Sequence, residues 1–172
     1  MEYASTFRAG EKPSTLVLYV RNFSLLQPFS RSKIPESNKR IIEKNVPFRA
    51  GDFGITAFNV PHDSSDNVGY QIKYGDTVFS IMTDAGHVTE EMADIIGKSD
   101  YLVLESNYDE DMLRDGPYPE YLKKRIRGDY GHLGNNDCAA ALATNASERL
   151  RHVWLCHLSE ENNHPEIARK TV

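Results

Sequence analysis

Alternating apolar and polar residues predict paired strands in the middle of the chain. The alternation from Pro47 to Val60 is broken by Gly51-Asp52, which predicts a turn followed by a strand over 54–60. Residues 68–74 and 77–83 alternate around Gly75-Asp76, a pair that tolerates positive φ and is typical of a tight hairpin turn. This region therefore predicts a largely antiparallel sheet.

Later residues predict helices that alternate with short strands. Thr89 is placed to cap a helix that has acidic residues in its first turn, runs to Ile96 and ends at Gly97. Further predicted elements are strands over 101–104 and 152–156 and helices over 117–126, from Asn135 or Asn136 through 150, and from Pro165. Strand pairs followed by this alternation predict an α/β fold with a mixed sheet and flanking helices.

Composition narrows the function without identifying it. The 172 residues suit one domain, and 40% hydrophobic residues can build a core. The formal net charge of -5 provides no overall attraction for nucleic acid, so local basic patches or metal ions would have to hold it. The apolar stretch over 16–20 is too short to span a bilayer, and no cleavage site follows it. We therefore expect a cytoplasmic protein with no membrane partner, whose Cys138 and Cys156 are reduced.

Metal-binding residue types stand where apolar runs stop. His62 follows the strand over 54–60, Asp84 follows the apolar run 78–82, and His157 follows the strand over 152–156. Buried strands that end in His or Asp can fix metal ligands while a loop leaves room for substrate. Taken singly, His62 is also compatible with an ordinary loop histidine and Asp84 with a turn-forming aspartate. The ordered set is more specific than any member, and we expect the three to converge on one edge of the sheet.

A carboxylate and a histidine could form a proton relay beside these residues. Glu105 ends the apolar strand over 101–104, and a buried carboxylate needs a partner. His132 precedes a predicted helix, and histidine is the residue type best suited to protonating a leaving oxygen near neutral pH. We expect Glu105 and His132 to lie within hydrogen-bonding reach or one water apart. Alternatively, Glu105 caps a helix or braces a loop, and His132 is hydrogen-bonded at the start of the helix. We expect His87 to support the ligands or the fold rather than to bind metal.

Several segments together resemble the metallo-β-lactamase superfamily, and specifically its YycJ-like branch. They lie between about Ser32 and the end of the chain: HDSSDNVGY, TDAGHVTEEM, LVLESNYDEDML, GPYP, RIRGDYGHLGNND and CHLSEENNHPEIA. The resemblance implies a four-layer αββα sandwich with two divalent metals, usually zinc or manganese, at one edge of the sheets. It also implies that residues 31–172 form the C-terminal part of such a domain, after an atypical segment over 1–30.

The same resemblance implies individual roles and exposes departures. His62, Asp84 and His157 match metal ligands, His132 resembles a non-ligand histidine near the leaving group, and Glu105 resembles its relay carboxylate. Tyr108 stands where the branch commonly has histidine, and Gly134 where serine is usual. The H-x-H-x-D-H run that normally provides most ligands is absent from the sequence, and no histidine precedes His62.

Three functions follow as hypotheses. The first is a metal-dependent phosphodiesterase or nuclease, with nucleic acid as substrate, whose chain is truncated and therefore binds metal weakly and is largely inactive. The second is a non-catalytic remnant or interaction subunit, whose exposed sheet is covered by a partner or a second copy. The third is another hydrolase of the superfamily, acting on thioesters or lactams, which the pairing of His132 with Glu105 disfavours.

Overall fold

The computed structural model describes residues 4–6, 14–20 and 39–172, with side chains from residue 40 onward. Most of the predicted atypical segment 1–30 lies outside these residues, so the boundary near residue 30 stays a prediction. In the part described, helices and a mixed sheet alternate as expected, which confirms the α/β fold class.

The strands form two sheets. A three-stranded sheet contains β1 (Ala4–Thr6), β2 (Ser14–Val20) and β3 (Lys39–Ile42), in that order. The larger sheet has the spatial order β4 (Phe48–Ala50), β5 (Phe53–Asn59), β6 (Val68–Tyr74), β7 (Thr77–Met82), β8 (Tyr101–Glu105) and β9 (His152–Cys156). The predicted hairpin is present, with Gly75 at a φ of 56° in the turn between β6 and β7.

Strand direction decides where the site forms. Neighbours from β4 to β7 are antiparallel, whereas β7, β8 and β9 are parallel. The strands β5, β7, β8 and β9 consequently all run the same way, and their carboxyl ends share one edge of the sheet. In open α/β sheets this is the edge where ligands bind.

Five helices lie in the described part of the chain. They are α1 (Glu90–Lys98), α2 (Glu110–Asp115), α3 (Glu120–Arg127), α4 (Asn135–Asn145) and α5 (Pro165–Thr171). Thr89 caps α1 as predicted, because its hydroxyl accepts the Met92 amide at 3.2 Å. The prediction that Gly97 ends this helix was wrong, since α1 continues to Lys98.

Other helices also differ from the prediction. Helix α3 begins at Glu120 rather than at 117, and α4 ends at Asn145 rather than at 150. The short α2 was not predicted, and Asp109 caps it by accepting the amides of Asp111 and Met112.

The main core lies on the face of the sheet that carries α1 and α4. Apolar side chains of β5, β7 and β8 meet those of the two helices and the loops, and the buried cluster comprises Phe58, Val60, Met82, Ala85, Met92, Ile95, Ile96, Leu102, Leu104, Leu133, Cys138 and Ala141. This packing holds the loops at the carboxyl ends of β5, β7 and β8 against a rigid base.

Strands β7, β8 and β9 each contribute one side chain to a half-exposed row of aromatic rings. Trp154 of β9 lies 6.3 Å from Phe79 and 6.2 Å from Tyr101, measured between ring centroids. Trp154 is 44% exposed, which is high for so large an apolar side chain.

No helix among the described residues is long and apolar enough to cross a membrane.

Candidate metal centre

The five residues singled out in the sequence come together at the carboxyl edge of the large sheet. Potential ligand atoms of four of them, Asp84, Glu105, His132 and His157, all lie within 4.8 Å of one another. The fifth, His62, places its Nε2 3.8 Å from an Asp84 carboxylate oxygen. The predicted convergence of His62, Asp84 and His157 is therefore present in the structure.

Two of these residues have an unusual backbone. Asp84 and His157 have φ values of 57° and 55°, in the left-handed region that non-glycine residues seldom occupy. An asparagine side chain braces each: Asn67 donates to the Asp84 carbonyl at 2.8 Å, and Asn107 donates to the His157 carbonyl at 2.7 Å. Backbone strain held by dedicated hydrogen bonds is typical of functional sites.

Glu105 connects two histidines of the cluster and the loop after β7 through hydrogen bonds. It is fully buried, and one carboxylate oxygen accepts Nδ1 of His132 at 2.8 Å and Nδ1 of His157 at 2.7 Å. Its other oxygen accepts the Ala85 amide at 2.6 Å. The predicted contact with His132 is present, whereas the contact with His157 was not foreseen.

These contacts set the charge state of the cluster. Burial raises the pKa of Glu105, but hydrogen bonds from His132, His157 and the Ala85 amide outweigh it and bring the pKa below the ordinary 4.5. The hydrogen bond with Glu105 raises the pKa of His157 above the ordinary 6.5, despite the opposing effect of burial. Glu105 is therefore a carboxylate at neutral pH and holds protons on the Nδ1 atoms beside it.

His62 presents its other nitrogen to the site. Its Nδ1 lies 2.9 Å from the Gly131 carbonyl, which can only accept, so Nδ1 carries the proton. In the neutral ring this leaves the lone pair on Nε2, which lies 3.5 Å from an Asp63 carboxylate oxygen and 3.8 Å from an Asp84 carboxylate oxygen. A backbone carbonyl that fixes the tautomer in this way is common behind metal-binding histidines.

The donor set fits a divalent cation. Asp84 offers carboxylate oxygens, and His62 and His157 each offer Nε2 once Nδ1 is engaged. Two imidazoles and a carboxylate are the protein ligands of many catalytic zinc sites and also suit manganese. The described residues thus bring together one such set, with the His132 ring 5.0 Å from that of His62 between centroids.

Backbone contacts join the loops that carry these side chains. The Gly86 amide donates to the Pro61 carbonyl at 2.8 Å, and the Asp63 amide donates to the Tyr130 carbonyl at 2.9 Å. His87 bonds the Asp129 carbonyl through Nδ1 at 2.8 Å, which agrees with the structural role expected for it. The loops after β5 and β7 therefore form one assembly with the loop before His132.

A cavity of about 450 Å³ opens over the cluster. Its lining combines polar residues with a group of four apolar side chains, here called the apolar wall. The polar residues are His62, Asp84, Asn107, His132, His157 and Ser159, and the apolar wall is Tyr118, Leu122, Ile126 and Leu158. The sequence interpretation missed this wall. The spacing of Leu122 and Ile126, one helical turn apart, was the available signal, but it equally suits an ordinary core contact.

Comparison with known proteins finds a matching family and related sequences. The family described as "Beta-lactamase superfamily domain" matches residues 13–157. The chain is 38% identical over 140 residues to exodeoxyribonuclease WalJ of Streptococcus pneumoniae serotype 2 (strain D39 / NCTC 7466), a match over 81% of the chain and 52% of that protein. It is 36% identical over 139 residues to exodeoxyribonuclease YycJ of Bacillus anthracis, over 81% of the chain and 53% of that protein.

Solved structures agree on the fold. The metallo-β-lactamase fold protein YhfI of Bacillus subtilis superposes with a TM-score of 0.62 at 16% identity, over 91% of the chain and 56% of YhfI. The chain thus spans about half the length of the proteins it matches.

Proposed function

The chain belongs to the β-lactamase superfamily, and we propose that its site is that of a metal-dependent, nuclease-type hydrolase acting on phosphodiesters in DNA. One observation carries the proposal: Asp84, His132 and His157 gather around the buried Glu105, His62 lies 3.8 Å from Asp84, and Asp84 and the three histidines line one cavity. Two relatives that share over a third of their aligned residues with the chain are named exodeoxyribonucleases.

Three residues are proposed to hold a divalent cation. Asp84, His62 and His157 offer the oxygen and the two nitrogens, and the left-handed backbone at Asp84 and His157 aims these side chains into the cavity mouth. When bound, zinc or manganese supplies a Lewis acid for phosphoryl oxygens. The net charge of -5 makes such a cation, together with local basic residues, necessary for holding a polyanion.

His132 is proposed to protonate the leaving oxygen. Glu105 accepts a hydrogen bond from Nδ1–H of His132, which fixes the orientation of the ring. Nε2 is then the position that can hold a second proton. A protonated Nε2 facing the cavity can pass its proton to the departing alkoxide. Glu105 does not reach substrate, since it is fully buried, and acts by orienting His132.

The test compares the full chain with two aspartate variants. A 5′-labelled oligonucleotide is incubated with Mn²⁺ or Zn²⁺, and release of nucleotides is followed over hours because we expect slow turnover. Asp84→Ala should lower the rate at least about 100-fold, since even residues behind metal ligands contribute 10- to 100-fold. Asp94→Ala is the matched control, because Asp94 is exposed on α1 and pairs only with Lys98 in the described contacts.

Absence of metal-dependent cleavage, or equal rates for Asp84→Ala and wild type, would overturn the proposal. Cleavage that persists in EDTA would do the same, because it would come from a contaminating enzyme or another site.

A second candidate is an interaction subunit without catalysis. The half-exposed aromatic row of Phe79, Tyr101 and Trp154 favours it, since exposed aromatic surface commonly marks an interface. Sedimentation would show a concentration-dependent dimer that Trp154→Ser weakens. A monomer at all concentrations, together with metal-dependent cleavage, would exclude self-association through this row.

A further inference from the structure

We propose that the apolar wall of the cavity, formed by Tyr118, Leu122, Ile126 and Leu158, binds the base of a terminal nucleotide whose phosphate lies at the histidines. The inference rests on the proposed function and names the substrate unit that the site takes. It is drawn from a single cavity that both the histidine cluster and the apolar wall line.

Size argues for a single nucleotide unit. The cavity of about 450 Å³ is in the range of pockets that enclose one small ligand, which is roughly 300–1,000 Å³. Metal-binding side chains form only part of the lining, so a bare phosphate would leave the apolar wall without a partner. A nucleotide has a charged phosphate and a base with flat faces, which match the histidine cluster and the apolar wall.

The position of the wall argues for a base rather than a lipid-like group. Leu122 and Ile126 lie one turn apart on α3, and Tyr118 precedes that helix by two residues. All three are partly exposed, as expected of side chains that line an open site rather than a core. An aromatic ring beside aliphatic side chains provides a stacking surface, and stacking on aromatic rings accepts any base.

Charge on α3 points to the same ligand. Lys124 and Arg125 are exposed on the helix that carries the wall, and Arg125 also anchors the helix to Asp63, next to His62. The helix thus joins the apolar wall, cationic side chains and the histidine loop. Phosphates of a strand leaving the cavity would meet positive charge in a chain that is acidic overall.

Binding of small probes isolates the base contribution. Affinities of 2′-deoxyadenosine 5′-monophosphate and 2-deoxyribose 5-phosphate are measured by calorimetry on the full chain with Mn²⁺. We expect the nucleotide to bind about tenfold more tightly, because stacking of one base contributes about 1–3 kcal/mol and 1.4 kcal/mol is tenfold.

Variants locate that contribution. Tyr118→Ala should bring the two affinities within about twofold, whereas Tyr118→Phe should keep the tenfold ratio, because stacking needs the ring and not the hydroxyl. Tyr121→Ala is the matched control, since Tyr121 is 75% exposed on α3 and does not line the cavity, and it should behave as wild type. Circular dichroism checks that each variant is folded.

The outcomes separate this inference from the proposed function. Equal affinities for the two probes, no binding of either, or an unchanged ratio in Tyr118→Ala would overturn the base pocket. DNA cleavage with equal probe affinities would leave the proposed function standing without the pocket. A Tyr118-dependent nucleotide preference without any DNA cleavage would support the pocket and overturn the proposed reaction.

Discussion

At the scale of single residues, Glu105 links protonation to the shape of the site. It raises the pKa of His157, while its hydrogen bonds hold its own pKa low. The His157 contribution to stability is present below the ordinary pKa of 6.5 and is lost as pH rises through the raised value. The Glu105 contribution is present above the ordinary 4.5 and is lost as pH falls through the lowered value.

The first prediction concerns Glu105→Gln in metal-free protein. The amide cannot attract the imidazolium as the carboxylate does, so the pKa of His157 should fall towards its ordinary value. NMR titration of the imidazole protons in EDTA measures it, with His164, which lies outside the cluster and caps α5, as an internal control. An unchanged pKa of His157 would show that Glu105 does not stabilise the protonated ring.

Tyr108 and Gly134, where the resemblance to the YycJ-like branch implies histidine and serine, are in close contact. A Cβ at Gly134 would lie 3.0 Å from two ring carbons of the buried Tyr108, closer than ordinary packing. Serine at 134 would cap α4 but press on that ring, whereas the smaller histidine ring lacks the atoms in contact. Glycine at position 134 therefore leaves the room that the Tyr108 ring occupies.

A double-mutant cycle on Tyr108→His and Gly134→Ser is the second prediction. Gly134→Ser should cost more stability in wild type than in the Tyr108→His background, with a coupling of at least about 0.5 kcal/mol from urea unfolding. Effects that add to within experimental error would separate the two positions.

The sequence predicted the cluster better than its surroundings. His62, Asp84, Glu105 and His157 could be found because each follows an apolar strand, and parallel strands bring such ends together. The Glu105–His157 contact depends on where the His157 side chain points from its left-handed backbone, and the strand pattern carries no information on that direction. The apolar wall was missed because Tyr118, Leu122 and Ile126 resemble core residues in sequence.

At the scale of elements, local chemistry explains the helix boundaries that were misplaced. Tyr118 precedes Pro119, and a residue before proline is driven away from helical backbone, so α3 cannot include Tyr118. Pro119 itself is extended, with a ψ of 151°, and is the N-cap, so the helix begins at Glu120. Helix α4 ends early because the Ser147 hydroxyl donates to the Gly97 carbonyl at 2.7 Å and ties the next turn to α1. Strand bounds were predicted more closely, since alternation and the Gly75 turn both specify them.

Close packing of the loops that carry the site gives the third prediction. A Cβ at Gly86 would lie 2.2 Å from the Asp129 carbonyl oxygen, so Gly86→Ala must separate the loop after β7 from the loop before His132. It should cost about 1–3 kcal/mol of stability, as overpacking does. It should also weaken metal binding, because Asp84 lies two residues away.

Thermal and urea unfolding, with calorimetric metal titration, measure both effects. Gly54→Ala is the control, since its Cβ would make only an ordinary 3.9 Å contact with Lys73, and its stability should change by less than about 0.5 kcal/mol. If the Gly86→Ala variant were as stable as wild type, the two loops would be free to separate.

At the scale of the whole molecule, the supply of metal ligands limits what the chain can hold. The sequence has six histidines, and three of them are engaged outside the cluster. His87 bonds Asp129, His152 stacks on Trp154 with ring centroids 4.3 Å apart, and His164 caps α5. The cluster therefore offers His62, Asp84 and His157 as proposed ligands, because His132 is assigned to protonating the leaving oxygen and the buried Glu105 already holds Nδ1 of both His132 and His157.

The last prediction follows from that count. Calorimetric titration of the 172-residue chain with Zn²⁺ and with Mn²⁺ should give one ion per chain, bound weakly, and Asp84→Ala should abolish it while Asp94→Ala should not. Three protein donors can fill most of one four-ligand shell but not two, and a second ion would lack anchors. Phosphodiester hydrolysis should be correspondingly slow, because a single partly held cation orients substrate less well than a pair. Two tightly bound ions per chain, with rapid turnover that Asp84→Ala removes, would show that this chain provides ligands beyond those in the cluster.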